Sequence, residues 1–103
     1  AKEIFFTGKR FSAEDARVMG LVNRVVPNDQ LEDFVLDYAK IIAGNAPLTV
    51  GSAKFIIHEA LKDRGAADEA ECDRMVKACF ASEDYIEGRR AFMEKRPPAF
   101  KGR

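Results

Sequence analysis

Apolar positions along this chain recur mostly at three- and four-residue intervals, the signature of helices with one buried face. The clearest run is Leu31, Phe34, Val35, Tyr38 and Ile42. It predicts a helix opened by Asp29 with Glu32 and stopped at Gly44-Asn45. Pro47 suits the first turn of a further helix. That helix is expected to run to about Arg64, with Val50, Ala53, Ile57 and Leu61 on one face and Phe55 on another, until Gly65 breaks it. A helix from about Ala67 to Ala81 turns Cys72, Met75, Val76, Cys79 and Phe80 inward. Ser82 caps a last helix, with Glu83 and Asp84 in its first turn and Pro97-Pro98 beyond its end.

The first thirty residues are less regular. Residues 1–7 read as the tail of a helix that stops at Thr7-Gly8, because glycine accepts the left-handed backbone at a helix end. Ser12 with Asp15 approximates a capping box for a short helix closed by Gly20. Leu21-Val22-Asn23-Arg24-Val25-Val26 is short and rich in β-branched residues, so a strand is expected there, ended by Pro27. The pattern is mainly α: about five to six helices with one short strand. A lone strand is unstable in water, so its partner is expected elsewhere. The chain also opens in the middle of an amphipathic pattern, without a methionine, as expected of a piece of something longer.

Composition narrows the class. The 103 residues are 47% hydrophobic and 33% charged, which suits a folded soluble domain. No apolar run approaches the roughly 20 residues that span a bilayer, and no signal-peptide pattern opens the sequence, so neither a membrane span nor a leader is expected in it. Formal charge is zero, yet residues 87–103 hold six Lys/Arg against two Glu, leaving the remainder acidic. A basic group this short on an otherwise acidic chain argues against a nucleic-acid surface. Cys72 and Cys79, seven residues apart on one helical face, are read as small buried groups, the alternative being a metal or redox pair. They build no disulfide framework, and a reducing cytosol or organelle matrix is expected.

Catalytic patterns are scarce. The single histidine, His58, has no second ligand at metal spacing. No nucleophile elbow occurs, and Gly44, Gly51 and Gly65 form no phosphate loop. Asp68, Glu69, Glu71 and Asp73 are read as a solvated helix face. The tail differs: Arg89, Phe92, Met93 and Arg96 fall on one side of a helix, with Lys95 three past Phe92. A flat apolar ring beside a cation can hold a purine and a phosphate together. A solvated helix whose basic residues complement its dipole explains the same pattern.

Three segments shift the balance toward the first, with a helical assembly module that makes no ligand contact as the alternative. FFTGKRFSAEDARVMGLVNRVVP, AKIIAGNAPLTVGSAK and SEDYIEGRRAFMEKRPPAFKG, in that order, resemble the C-terminal region of the enoyl-CoA hydratase/isomerase (crotonase) family. The resemblance implies a helical C-terminal domain of the crotonase fold. Residues 1–27 would end the core, and residues 28–103 would form a helical oligomerisation domain that packs subunits into trimers or dimers of trimers. It implies an acyl-CoA thioester as substrate, with no separate cofactor, no metal, no nucleic acid, no membrane, and a cytoplasmic or organelle-matrix setting. The oxyanion-hole amides and proton-moving glutamates would lie in a missing N-terminal core, so no catalytic residue is carried over. Phe92 and Lys95 match the Ala-Phe-x-Glu-Lys-Arg motif and are expected to flank coenzyme A, as apolar wall and phosphate-side cation, with Arg96 assisting.

Overall fold

The computed structural model describes residues 2–63 and 65–103. Six α-helices follow one another: α1 (Lys2–Thr7), α2 (Ala13–Val18), α3 (Leu31–Ala43), α4 (Pro47–Ala60), α5 (Glu69–Ala81) and α6 (Glu83–Glu94). The chain groups into two compact units, Ala1–Val35 and Leu36–Arg103. Among the described residues no helix is long and apolar enough to cross a membrane.

Within the first unit the boundary chemistry read from the sequence is realised. Gly8 closes α1 at φ 59°, its amide bonded to the Ile4 carbonyl at 3.2 Å. Ser12 and Asp15 form a reciprocal capping box on α2: the Ser12 amide donates to Asp15 Oδ2 at 2.9 Å, and the Asp15 amide to Ser12 Oγ at 3.1 Å. The strand expected at residues 21–26 is not there. These residues form bends and irregular backbone, and no strand occurs among the described residues. The Leu21 and Val22 amides instead donate to the Ala16 carbonyl at 2.8 and 3.3 Å, after Gly20 turns the chain at φ 72°. β-Branched residues favour extended backbone, but without a neighbouring edge to pair with they make no ladder. The Arg24 guanidinium lies 5.8 Å from the centre of the Phe34 ring. Asp29 does not cap α3; a 3₁₀ turn, Asn28–Gln30, leads into it.

In the second unit α4 packs on α5, and α5 on α6. Pro47 opens α4 as expected, and Ala60 ends it; the expected end near Arg64 lies outside the described residues. The packing face of α4 differs from the expected one. Ser52 and Glu59 are buried, and Phe55 and Ile56 half-buried, whereas Val50, Ala53, Ile57 and Leu61 face solvent. The selection follows from Glu59: its carboxylate accepts from the Asp68 amide at 2.8 Å and from Lys62 Nζ, tying the α4–α5 connection down at only 5% exposure. These bonds hold the Glu59 carboxyl below the usual range, with the Asp68 amide the larger cause. Asp68 is no idle surface acid either. It caps α5, accepting from the Glu71 amide at 2.9 Å.

A carboxylate clasp fixes the tail. Asp84, 3% exposed near the start of α6, accepts from the Lys101 and Gly102 amides, each at 2.7 Å. Its own amide donates to the Arg103 carbonyl at 3.2 Å. One turn on, Glu87 accepts from Arg96 Nη1 and Nη2 at 2.6 and 3.0 Å, and from the Ala99 amide at 3.0 Å. Arg96 Nε donates to Glu94 at 2.6 Å. The clasp draws Phe100 across Gly88, its ring 3.5 Å from where a Cβ would sit. It also draws Gly102, at φ 76°, against Pro47.

The apolar residues are not enclosed. Among the described residues only Ala16 and Ala91 are buried hydrophobic residues, while Phe5, Phe6, Ile41, Ile57, Leu61 (80% exposed) and Phe92 (83%) stand in solvent. Exposed apolar surface on this scale favours association. Light scattering of the purified 103-residue chain should therefore give a mass above that of the monomer, rising with concentration; a strict monomer would count against it. A second expectation concerns acid. The Arg96 guanidinium, and after it the Ala99 amide, hold the Glu87 carboxyl at about 2 against an ordinary 4.5. The folded chain thus binds this proton less tightly than the unfolded chain. The stability from the clasp is complete above about 4.5 and lost as pH falls toward 2. Melting temperature should fall more steeply across that interval in the native chain than in Glu87→Gln; parallel curves would dissociate Glu87 from the acid response.

Candidate functional site

Helix α6 owes its register to its two ends. Ser82 Oγ accepts from the Tyr85 amide at 3.1 Å, and the acidic Glu83 and Asp84 sit where the helix dipole favours them. Ala91, 1% exposed, is its buried anchor. At the far end Lys95 takes the left-handed conformation, φ 53° and ψ 40°. Its amide bonds to the Ala91 and Phe92 carbonyls, and the Arg96 amide bonds to Ala91 at 3.1 Å. This satisfies carbonyls that a helix end otherwise leaves open.

The two long faces of α6 do different work. Glu83, Glu87 and Arg90 line the side gripped by the tail. Tyr85, Gly88, Arg89, Phe92 and Met93, at helical spacing, line an open groove of about 700 Å³ whose other walls come from α4, α5 and Phe100. Ile56 and Val76 make the groove apolar, and Thr49 and the buried Ser52 give it a polar edge. Phe80 meets Tyr85 edge to face with ring centres 5.1 Å apart. The Arg89 guanidinium lies 5.9 Å from the centre of the Tyr85 ring, a cation held against an aromatic face.

The structure thus sorts the tail residues into groups. Arg89, Phe92 and Met93 are brought together on the groove, as helical spacing indicated. Phe92 presents its ring almost wholly to solvent. Lys95 is exposed at the turn three residues on, and among the described residues it has no carboxylate partner. Arg96 goes the other way: it is gripped by Glu87 and Glu94, which drive its proton affinity further up. Its guanidinium fork is occupied before any ligand arrives. His58 is exposed on α4, and no cluster of His, Cys, Asp and Glu suited to a metal occurs among the described residues. Cys72 and Cys79 are half-buried free thiols. Burial, and then the carboxylates of Glu59, Asp68 and Asp73, push the Cys72 thiol up, so it is a poor nucleophile at neutral pH. The groove walls from α4 and α5, and the Glu87–Arg96 pair, were not foreseen. The only signal for the pair was a glutamate and an arginine nine residues apart across a helix end, which periodicity does not connect.

Comparison with known proteins is consistent along the whole chain. The enoyl-CoA hydratase/isomerase family model matches residues 1–103. Methylmalonyl-CoA decarboxylase of Escherichia coli is 39% identical over 107 residues, covering 98% of this chain and 40% of that protein. Carnitinyl-CoA dehydratase of Salmonella agona is 36% identical, covering 98% of this chain and 40% of that protein. The crystal structure of enoyl-CoA hydratase from Bacillus anthracis superposes with a TM-score of 0.87 at 36% identity, over 99% of this chain and 40% of that one. The chain spans about two-fifths of the length of these relatives. From the first residue to the basic tail, the chain belongs to the enoyl-CoA hydratase/isomerase family.

Proposed function

We propose that the chain is the C-terminal helical part of an enzyme acting on acyl-CoA thioesters, with hydration of a 2-enoyl-CoA as its reaction. In this reading residues 1–27 end the catalytic core, and residues 28–103 form a helical domain that joins subunits into trimers or dimers of trimers. Coenzyme A enters as part of the substrate, with no further cofactor, and the setting is the cytoplasm or an organelle matrix. Phe92 is one wall of the coenzyme A pocket and Lys95 the cation on its phosphate side.

One observation carries the assignment of Phe92 and Lys95. At the end of α6 an exposed aromatic ring stands three residues before an exposed lysine without a carboxylate partner among the described residues, while the adjacent Arg96 is neutralised. A ring and a free cation act on different ends of a nucleotide, stacking on the base and attracting the phosphate. The names of relatives support the substrate class, since methylmalonyl-CoA decarboxylase and carnitinyl-CoA dehydratase both act on coenzyme A thioesters.

A second reading, an assembly module without ligand contact, is favoured by the exposed apolar faces of α3 and α4. The Phe92→Ala/Lys95→Ala double variant of the full-length protein separates the two. The first reading expects the Kd for coenzyme A to rise about tenfold, one charge-assisted contact plus a stacked ring being lost, with the oligomer intact. A dissociated oligomer with normal affinity per assembled particle would favour the second. A further expectation follows from where the resemblance puts the oxyanion hole and the proton-moving glutamates, outside these 103 residues. Preorganised oxyanion stabilisation supplies the largest electrostatic share of such catalysis. The purified chain should not turn over crotonyl-CoA, and measurable hydration by it would overturn the division of labour.

A further inference from the structure

Lys95 is the one non-glycine residue with positive φ among the described residues; the other such positions are Gly8, Gly20, Gly65 and Gly102. A β-carbon is unfavourable there, and glycine would relieve it. A lysine in that conformation persists where its surroundings over-determine the turn, and such residues cluster at functional sites. Glu94 and Arg96, the residues on either side of Lys95, are bonded to each other at 2.6 Å. Arg96 is held from two turns up the helix by both Glu87 oxygens. Arg96 also donates to the Pro97 carbonyl at 3.1 Å, and Ala99 is tied to the same Glu87 carboxylate. The neighbours of Lys95 are consumed by one ion-pair network while its own ammonium is left out of it.

We infer that Glu87 and Arg96 are positioning residues for ligand recognition: their ion pair locks the left-handed turn so that the Lys95 ammonium stays unpaired beside Phe92, toward an anionic phosphate ester. The inference rests on the assignment of Phe92 and Lys95 to the coenzyme A pocket. Arg96, although the stronger phosphate ligand by chemistry, is here a brace. Two jobs that adjacent cations could share are divided, the planar fork gripping carboxylates and the point charge left for the ligand.

The test is the Kd of the full-length protein for coenzyme A by isothermal titration, with melting temperature measured on the same samples. Glu87→Gln keeps an acceptor for the Ala99 amide but removes the charge that holds Arg96. It should raise the Kd about fivefold, through loss of the bidentate grip rather than of a ligand contact. Arg96→Lys keeps the charge and loses the fork, so it should act in the same direction, and it serves if Glu87→Gln does not fold. Lys95→Gly should raise the melting temperature while raising the Kd at least as much, a split that a purely structural lysine would not show. Unchanged affinity in Glu87→Gln and Arg96→Lys, with only the melting temperature lowered, overturns the positioning role. A lowered melting temperature in Lys95→Gly overturns the strain argument. If Phe92→Ala/Lys95→Ala also leaves the Kd unchanged, the assignment of the pocket fails first; if it weakens binding while Glu87→Gln does not, the ion-pair inference alone fails.

Discussion

The arrangement of the second unit depends on two carboxylates one turn apart on α6 accepting hydrogen bonds from backbone amides of the tail. Residues 97–103 contain two prolines and no regular structure, so nothing in their own backbone satisfies their amides. Asp84 and Glu87 supply the acceptors. Because these bonds go to ionised groups, each is worth more than a neutral one, and a buried Asp84 without them would be an unpaired charge. From this grip follow the placement of Phe100 over Gly88, the fourth wall of the groove, the seating of Gly102 against Pro47, and the direction in which Arg96 leaves the helix.

The same carboxylates show why so thin a core is tolerated. Helices α4, α5 and α6 meet through half-buried side chains, with Ser52, Glu59, Ser82 and Asp84 among the most buried positions. Glu59, Ser82 and Asp84 are bonded through their side chains, and no fully buried side-chain nitrogen or oxygen lacks a partner among the described residues. Polar ties at loops and caps thus fix a geometry that apolar burial alone specifies loosely, and they leave the apolar stripes of α3 and α4 facing outward. Exposed apolar stripes of this kind mark interaction surfaces or aggregation liabilities.

Much of the fold was legible because its punctuation is chemical. Ser12, Gly8, Gly20, Pro47 and Ser82 mark helix ends for reasons internal to each residue, and each marks one in the structure. What escaped the sequence depends on partners. Residues 21–26 have the composition of a strand and no strand to pair with among the described residues. On α4 two faces were available, and the buried one was chosen by Glu59, a charged residue that periodicity counts as an outside position. Asp68 read as a surface acid because the helix was expected to begin at about Ala67; a start at Glu69 makes Asp68 its cap. At the candidate site, the shared face of Arg89, Phe92 and Met93 followed from spacing, whereas the opposite fates of Lys95 and Arg96 required the long reach from Glu87.

The tail ties also have an entropic consequence. Asp84 meets its amide donors across 17 and 18 residues, and Glu87 meets Ala99 across 12. Loop closure grows only slowly with length, about 0.6 kcal/mol per doubling, so small rings of this kind close cheaply once α6 is formed. The final turn, its lysine included, draws its order from a stretch of about twenty residues. It can hold its shape whether or not the rest of the surface is covered.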